Sequence, residues 1–335
     1  MQYDKHPNNV VRVRLCRTSS AAGQSDGHFE PSQLVLSASL SEVRLFDLRE
    51  RRCIKTLSSC GLTVDGETKY ASSSSRILTQ NEPKINDMVV SFPYLFVAAS
   101  SQVRIWDLRI YKSISKLNTG HMSQVDSVAI TVRSGTCSSN NSSLTIFTGS
   151  KDHTLKRFEI STRSNNVPLS TMYDAVHHFE PPHYDGVQCL AARGRWLFSG
   201  SRNSQIKQWN IETNEQALMN NQAHKESLLS LCFLPEPAST ILASGCRGGF
   251  LKLWNAHSFQ QVGEIRAHTT AINQMAANST HLFTACSDAT VGLWKPRNGD
   301  TLVDDSVADG GRPDSNNNHA PTNSVVLADE LTSVV

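Results

Sequence analysis

The sequence predicts an all-β propeller assembled from small four-stranded antiparallel sheets, and three observations carry that prediction. First, a short pattern returns six times: a Ser, Thr or Ala patch, a tight turn, then an apolar–basic–apolar strand that closes on an aromatic residue. The copies end at Phe46, Trp106, Phe158, Trp209, Trp254 and Trp294. Second, these aromatics lie 60, 52, 51, 45 and 40 residues apart, converging on roughly 40–45 residues, the length of one four-stranded blade. Third, one such sheet cannot bury both of its own faces, so successive copies must stack to make a core.

Each repeat resolves into four strands. First strands are apolar runs at 10–15, 85–90, 125–131, 187–192, 228–234 and 272–276. Second strands carry the small-residue patch, as at 144–150 and 197–201. Third strands end on the aromatic, and fourth strands fall at 55–57, 114–117 and 262–265. Alternation such as Leu251-Lys252-Leu253-Trp254 sends neighbouring side chains to opposite faces. Longer intervals come from a polar insertion at 58–82, a loop at 133–143 and a stretched connection at 163–182. Residues 1–298 are expected to form the propeller. The Gly, Asp, Asn and Ser-rich segment 299–335 is expected to be a disordered tail, with 301–303 able to supply a last outer strand.

Composition excludes several function classes. The chain has 335 residues, 39% of them hydrophobic and 19% charged, which suits a soluble fold. A net charge of +2 is too small to imply nucleic-acid binding by bulk charge. The longest apolar run, 89–99, contains Pro93 and is too short to cross a bilayer, so no membrane insertion is expected. The leading MQYDKHPNN has no apolar signal core. Eight cysteines occur without a CxxC pair, and Cys189, Cys232, Cys246 and Cys286 fall in apolar strands, so they read as small core residues in a reducing cytosol.

The recurring polar residues suggest a hydrogen-bonded lock in each blade: a His ahead of the first strand, a second-strand hydroxyl ten residues before the aromatic, a turn acid six before it, and the Trp. The sixth copy has all four as His268, Thr284, Asp288 and Trp294. The third has His121, Thr148 and Asp152, but Phe158 lacks the indole donor. The fourth offers His183, Ser199 and Trp209, with Asn203 as the turn acceptor. The fifth keeps His224, Ser244 and Trp254 while Gly248 removes the acid. The first two copies are eroded, with His6 the only matching His.

These Ser, His and Asp groupings recur as a structural device, and no GxSxG elbow accompanies them, so hydrolase chemistry is not expected. No GxxxxGK[ST] loop is present, so no phosphate-cradling nucleotide site is expected. HHFEPPH (His177, His178, His183) resembles a metal-ligand run, but His183 belongs to a lock, so neither metal nor cofactor is expected. Basic residues two before the aromatic (Arg44, Arg104, Lys156, Lys207, Lys252) are expected to cover blade edges with their stems. Lys151, Arg202 and Arg247 each precede the turn position. If the blades are equivalent they occupy matching places on one rim, where they could recognise carboxylates.

Beyond the repeat, the strings HPNNVVRV (6–13), SASLSEVRLFDLRERRCIKTL (37–57), LFVAASSQVRIWDLR (95–109), FEPPHYDGVQCL (179–190), SGCRGGFLKLWN (244–255) and NSTHLFTACSDATVGLWKPRN (278–298) resemble the C-terminal WD40 domain of propeller-tailed kinesin-4 motors. That resemblance implies a WD40 β-propeller, a tail without the motor ATPase, protein partners such as tubulin, microtubules or motor cargo, and a cytoplasmic, cytoskeleton-associated setting. It also implies a repeat ahead of the HPNN string where only MQYDK stands, so the chain is expected to be six blades of a seven-bladed ring, cut from a longer motor. A different class stays open. Phe46-Asp47-Leu48-Arg49 and Trp106-Asp107-Leu108-Arg109 form consecutive WDxR-like boxes, a pattern used by some substrate receptors of cullin–RING ubiquitin ligases.

Overall fold

The alternating runs become strands throughout the computed structural model, which describes residues 10–17, 33–50, 52–65, 82–133, 141–163, 172–234, 240–296 and 327–329. These fall into two units, one ending at Ala223 and one beginning at His224. The first unit holds four blades. Blade one is β1 (Val10–Arg17), β2 (Gln33–Ser39), β3 (Glu42–Asp47), β4 (Arg52–Ser58) and the added β5 (Thr63–Asp65). Blade two is β6 (Ile85–Ser91), β7 (Tyr94–Ala99), β8 (Gln102–Asp107) and β9 (Lys112–Asn118). Blade three opens with β10 (Val125–Arg133), β11 (Asn141–Ser150) and β12 (Leu155–Arg163). The chain then lays β13 (Met172–Asp174) parallel to β9 on the outer edge of blade two, and returns as β14 (His177–His178) to complete blade three. Blade four is β15 (Val187–Arg193), β16 (Trp196–Ser201), β17 (Ile206–Asn210) and β18 (Gln216–Asn220).

The second unit holds two blades. Blade five is β19 (Leu228–Phe233), β20 (Ile241–Cys246), β21 (Phe250–Asn255) and β22 (Gln261–Arg266). Blade six is β23 (Ile272–Ala277), β24 (Leu282–Cys286), β25 (Val291–Pro296) and β26 (Leu327–Asp329). Strands therefore appear where the sequence suggested only insertions. β13 is drawn to its edge because Tyr173 and Ala175 pack on the core shared by blades two and three. Apart from β26, the expected tail and its candidate strand at 301–303 lie outside the described residues.

The small-residue patch has a packing purpose. Every first strand begins with an apolar residue followed by a register shift. Ile85, Val125, Val187, Leu228 and Ile272 at that position are fully buried. A Cβ on Gly149 would lie 2.6 Å from Val187 Cγ1, and one on Gly245 would lie 2.8 Å from Ile272 Cγ2. Each Gly is thus a socket for the next blade's leading side chain, a contact in which one added methyl already overfills the space. The exception is Val10 at the head of β1, 46% exposed.

Polar contacts join neighbouring blades at the same register. Asp87 is 3% exposed and accepts Val128 N at 2.9 Å and Arg12 Nε at 2.9 Å. Ser127 Oγ accepts Leu190 N at 3.0 Å, and in the second unit Ser230 Oγ accepts Met275 N at 2.9 Å. Side chains of one sheet therefore satisfy main-chain donors of the next. The hairpins joining second and third strands each hold one left-handed residue: Leu40, Ser100, His153, Ser204, Gly249 and Ala289. Only Gly249 is a glycine, and a Cβ there would collide with the His268 carbonyl oxygen.

Candidate functional site

The locks form around second-strand hydroxyls, which the pairing sets opposite the residue two before the aromatic. In blade four, Trp209 Nε1 donates to Ser199 Oγ at 2.8 Å, and that hydroxyl lies 2.7 Å from His183 Nε2. His183 Nδ1 lies 2.8 Å from Gln205 Oε1. An amide oxygen can only accept, so Nδ1 carries the proton and Nε2 accepts from Ser199. Burial, with the nearby Lys207 charge, holds this imidazole down at about 4. The turn residue Asn203 does not reach it; its Oδ1 accepts Gln205 N at 3.2 Å instead.

Blade three reaches the same end differently. His121 Nε2 is 2.9 Å from Thr148 Oγ1, and Nδ1 is 3.0 Å from Asp152 Oδ2. Thr154 Oγ1 donates to Asp152 Oδ1 at 2.7 Å. Burial pushes the Asp152 carboxyl up, but hydrogen bonds from His121 and Thr154 outweigh it and hold the group well below the usual carboxylate range. Phe158 fills the indole's place with no exposed surface. In blade six, His268 Nε2 and Trp294 Nε1 meet Thr284 Oγ1 at 2.7 and 2.9 Å. Asp288 does not bond the imidazole directly; Thr290 Oγ1 donates to Asp288 Oδ1 at 2.5 Å and lies 3.2 Å from His268 Nδ1. Burial lowers His268. In blade five, Ser244 Oγ is 2.7 Å from both His224 Nε2 and Trp254 Nε1, while His224 Nδ1 is buried with no partner among the described residues.

Sequence reasoning missed the position that serves Nδ1. It lies four residues before the aromatic, at Thr154, Gln205 and Thr290, and its polar character in those blades was the available signal. It also missed the work of the regular lysines. Lys156 Nζ donates to the carbonyls of Thr119 and Gly120 at 2.7 and 2.9 Å. Lys207 Nζ donates to those of Pro181 and Pro182 at 2.9 and 3.0 Å. Each ammonium thus pins the two residues ahead of a lock histidine. His6 lies outside the described residues.

Lys151, Arg202 and Arg247 are exposed, and their amides make matching bonds to the residues ahead of the first strands: Gln124, Gly186 and Ser227, all at 2.9 Å. Lys151 and Arg202 are neighbours, because a Cβ on Gly186 would stand 3.1 Å from Lys151 Cα while its carbonyl accepts Arg202 N. Arg247 holds the corresponding place in blade five of the other unit. Burial raises the Asp126 carboxyl nearby, opposed by a Gln124 hydrogen bond and the Lys151 charge.

In the WDxR-like boxes the aspartates cap their own turns. Asp47 Oδ1 accepts Arg49 N at 2.8 Å, and Asp107 accepts Arg109 N at 2.9 Å and Arg109 Nη2 at 2.5 Å. Among the described residues His268, Cys286 and Asp288 place potential ligand atoms within 4.8 Å of one another. All three already have partners: His268 and Asp288 in the lock, Cys286 Sγ 3.0 Å from Thr270 Oγ1. Cys16, Cys53, Cys189, Cys246 and Cys286 are buried free thiols, and burial pushes Cys16 up to about 11.

Stacked four-stranded sheets, sockets and locks define a WD40-repeat β-propeller. The WD domain, G-beta repeat model matches residues 175–210, 216–255 and 259–295. The chain is homologous over most of its length to kinesin-like proteins. It is 39% identical to kinesin-like protein KIF21B of Mus musculus over 86% of this chain and 16% of that protein, and 38% identical to KIF21A of Homo sapiens over 93% and 17%. Kinesin-like protein klp-12 of Caenorhabditis elegans is 27% identical over 87% of this chain. The chain thus spans about a sixth of the length of these relatives. Among solved structures, a chain of the Mitotic Checkpoint Complex aligns with a TM-score of 0.55 at 14% identity, covering 78% of this chain and 70% of that one. The computationally designed Ika8 protein aligns at 0.52 and 16% identity, covering 88% and 85%. These likenesses concern the fold.

Proposed function

We propose that this propeller is a non-catalytic docking platform that contributes microtubule or cargo contact in a kinesin-like protein, acting in the cytoplasm at the cytoskeleton. The homology to kinesin-like proteins carries the reading. The exposed Lys151 and Arg202, with Arg247 at the matching turn, supply groups that pair with carboxylates on an acidic partner such as tubulin. No helix among the described residues is long and apolar enough to cross a membrane. The test is co-sedimentation with microtubules across a salt series. Binding is expected to weaken as salt rises. The triple variant Lys151→Glu, Arg202→Glu, Arg247→Glu is expected to bind about tenfold more weakly at low salt. Undiminished binding by that variant rejects the rim, and no binding by the parent chain rejects the microtubule reading.

A further inference from the structure

Blade two has lost its lock. Val97 stands opposite Arg104, the place that Thr148 holds opposite Lys156 and Ser199 opposite Lys207. After β9 the chain runs Thr119-Gly120-His121 into the third lock; after β4 the corresponding run is Ser59-Cys60-Gly61, so a glycine stands where an imidazole would. A cavity of about 240 Å³ is left, lined by Val97, Gln102, Arg104 and Lys116 with Ser59 and Cys60 of blade one.

Its chemistry is one-sided. Arg104 donates from Nε to Ser59 O at 3.0 Å and from Nη1 to Ser113 Oγ at 3.1 Å, which leaves further guanidinium hydrogens. Among the described residues no carboxylate pairs with Arg104 or Lys116 within ion-pair distance. Ser59 is 5% exposed, and its Oγ has no partner among the described residues. Burial lowers the Arg104 guanidinium, a cost that an anion would relieve. Sites for drug-sized molecules run from roughly 300 to 1,000 Å³, so this volume suits one side chain. The apolar Val97 and Ala99 suit the methylene stem of a glutamate.

We propose that this emptied lock is a docking pocket for the carboxylate side chain of an acidic peptide, with Arg104 and Lys116 pairing with its oxygens and Ser59 donating its hydroxyl hydrogen. The pocket lies between blades one and two, apart from Lys151 and Arg202, so it and the rim can fail independently.

Cys60 is exposed and lines the pocket, which makes its alkylation a local reporter. The full chain is treated with iodoacetamide, with and without a hexaglutamate peptide, and modification of Cys60 is followed by peptide mass spectrometry. Saturating peptide is expected to slow modification about fivefold, and Lys116→Gln to demand about tenfold more peptide for the same protection. Lys116→Arg, which keeps the charge, and the triple rim variant are expected to retain protection. The proposal is overturned if the peptide gives no protection, if Lys116→Gln is protected like the parent, if Lys116→Arg loses protection, or if inorganic phosphate protects at the same concentration as the peptide.

Discussion

Blades four and five carry the same His–Ser–Trp core and part company at the far nitrogen of the imidazole. In blade four Gln205 accepts from His183 Nδ1. In blade five the matching residue is Phe250 and the turn residue is Gly248, where a Cβ would lie 2.9 Å from Glu226 Oε1. His224 Nδ1 meets no partner among the described residues, yet its Nε2 side matches that of His183 within a tenth of an ångström. Blade three makes the complementary change, keeping the acid and losing the indole. The comparison teaches that the hydroxyl is the fixed centre of each lock and that either wing can be lost while the other holds the ring.

Acid gives the largest expected effect. His183 and His224 are held at about 4 in the fold, against 6.5 ordinarily, in both cases chiefly by burial. Folded values below unfolded ones mean that the stabilisation is complete above about 6.5 and is lost as pH falls towards 4, on the order of 3 kcal/mol for each ring. Urea midpoints measured between pH 7 and pH 4 should fall accordingly, and His224→Gln should remove roughly half of that slope. An unchanged slope would break the assignment of His224 as a neutral buried ring.

Ser199→Ala comes next. It strands the Trp209 indole and His183 Nε2 together, for a loss of about 3 kcal/mol in urea unfolding. Ser244→Ala should cost less, because a ring without an Nδ1 bond is freer to turn. Equal losses at the two serines would defeat the contrast between the blades. Smallest is Gln205→Leu, which converts blade four to the blade-five arrangement at about 1–2 kcal/mol. A loss beyond that would show the far nitrogen to matter more than blade five suggests.

Much of this architecture was legible in the sequence because the aromatics and small-residue patches impose a period that only stacked sheets satisfy. Counting back from the aromatic found Thr148, Ser199, Ser244 and Thr284, whose hairpins share one length. It slips by one in blade two, where the hairpin turns through Ser100-Ser101 and sets Val97 rather than Phe96 at the hydroxyl place. Asn203 sits where an aspartate would and so suggests itself as the acceptor; Gln205, two residues nearer the strand and longer, is the side chain that reaches the ring. The ammonium contacts of Lys156 and Lys207 were hidden because they end on carbonyls, which carry no sequence signature. The emptied pocket was hidden for a different reason: it is a place where expected side chains are missing, and the one-residue slip of the hairpin hides which residue stands there.

The amides of Val128, Leu190 and Met275 find their acceptors on a neighbouring sheet rather than their own. Melting one sheet therefore orphans a donor in the next, a penalty of about 1–3 kcal/mol. Fraying that begins at one blade is transmitted to its successor, and heat should dismantle each unit as a cooperative whole rather than leaf by leaf.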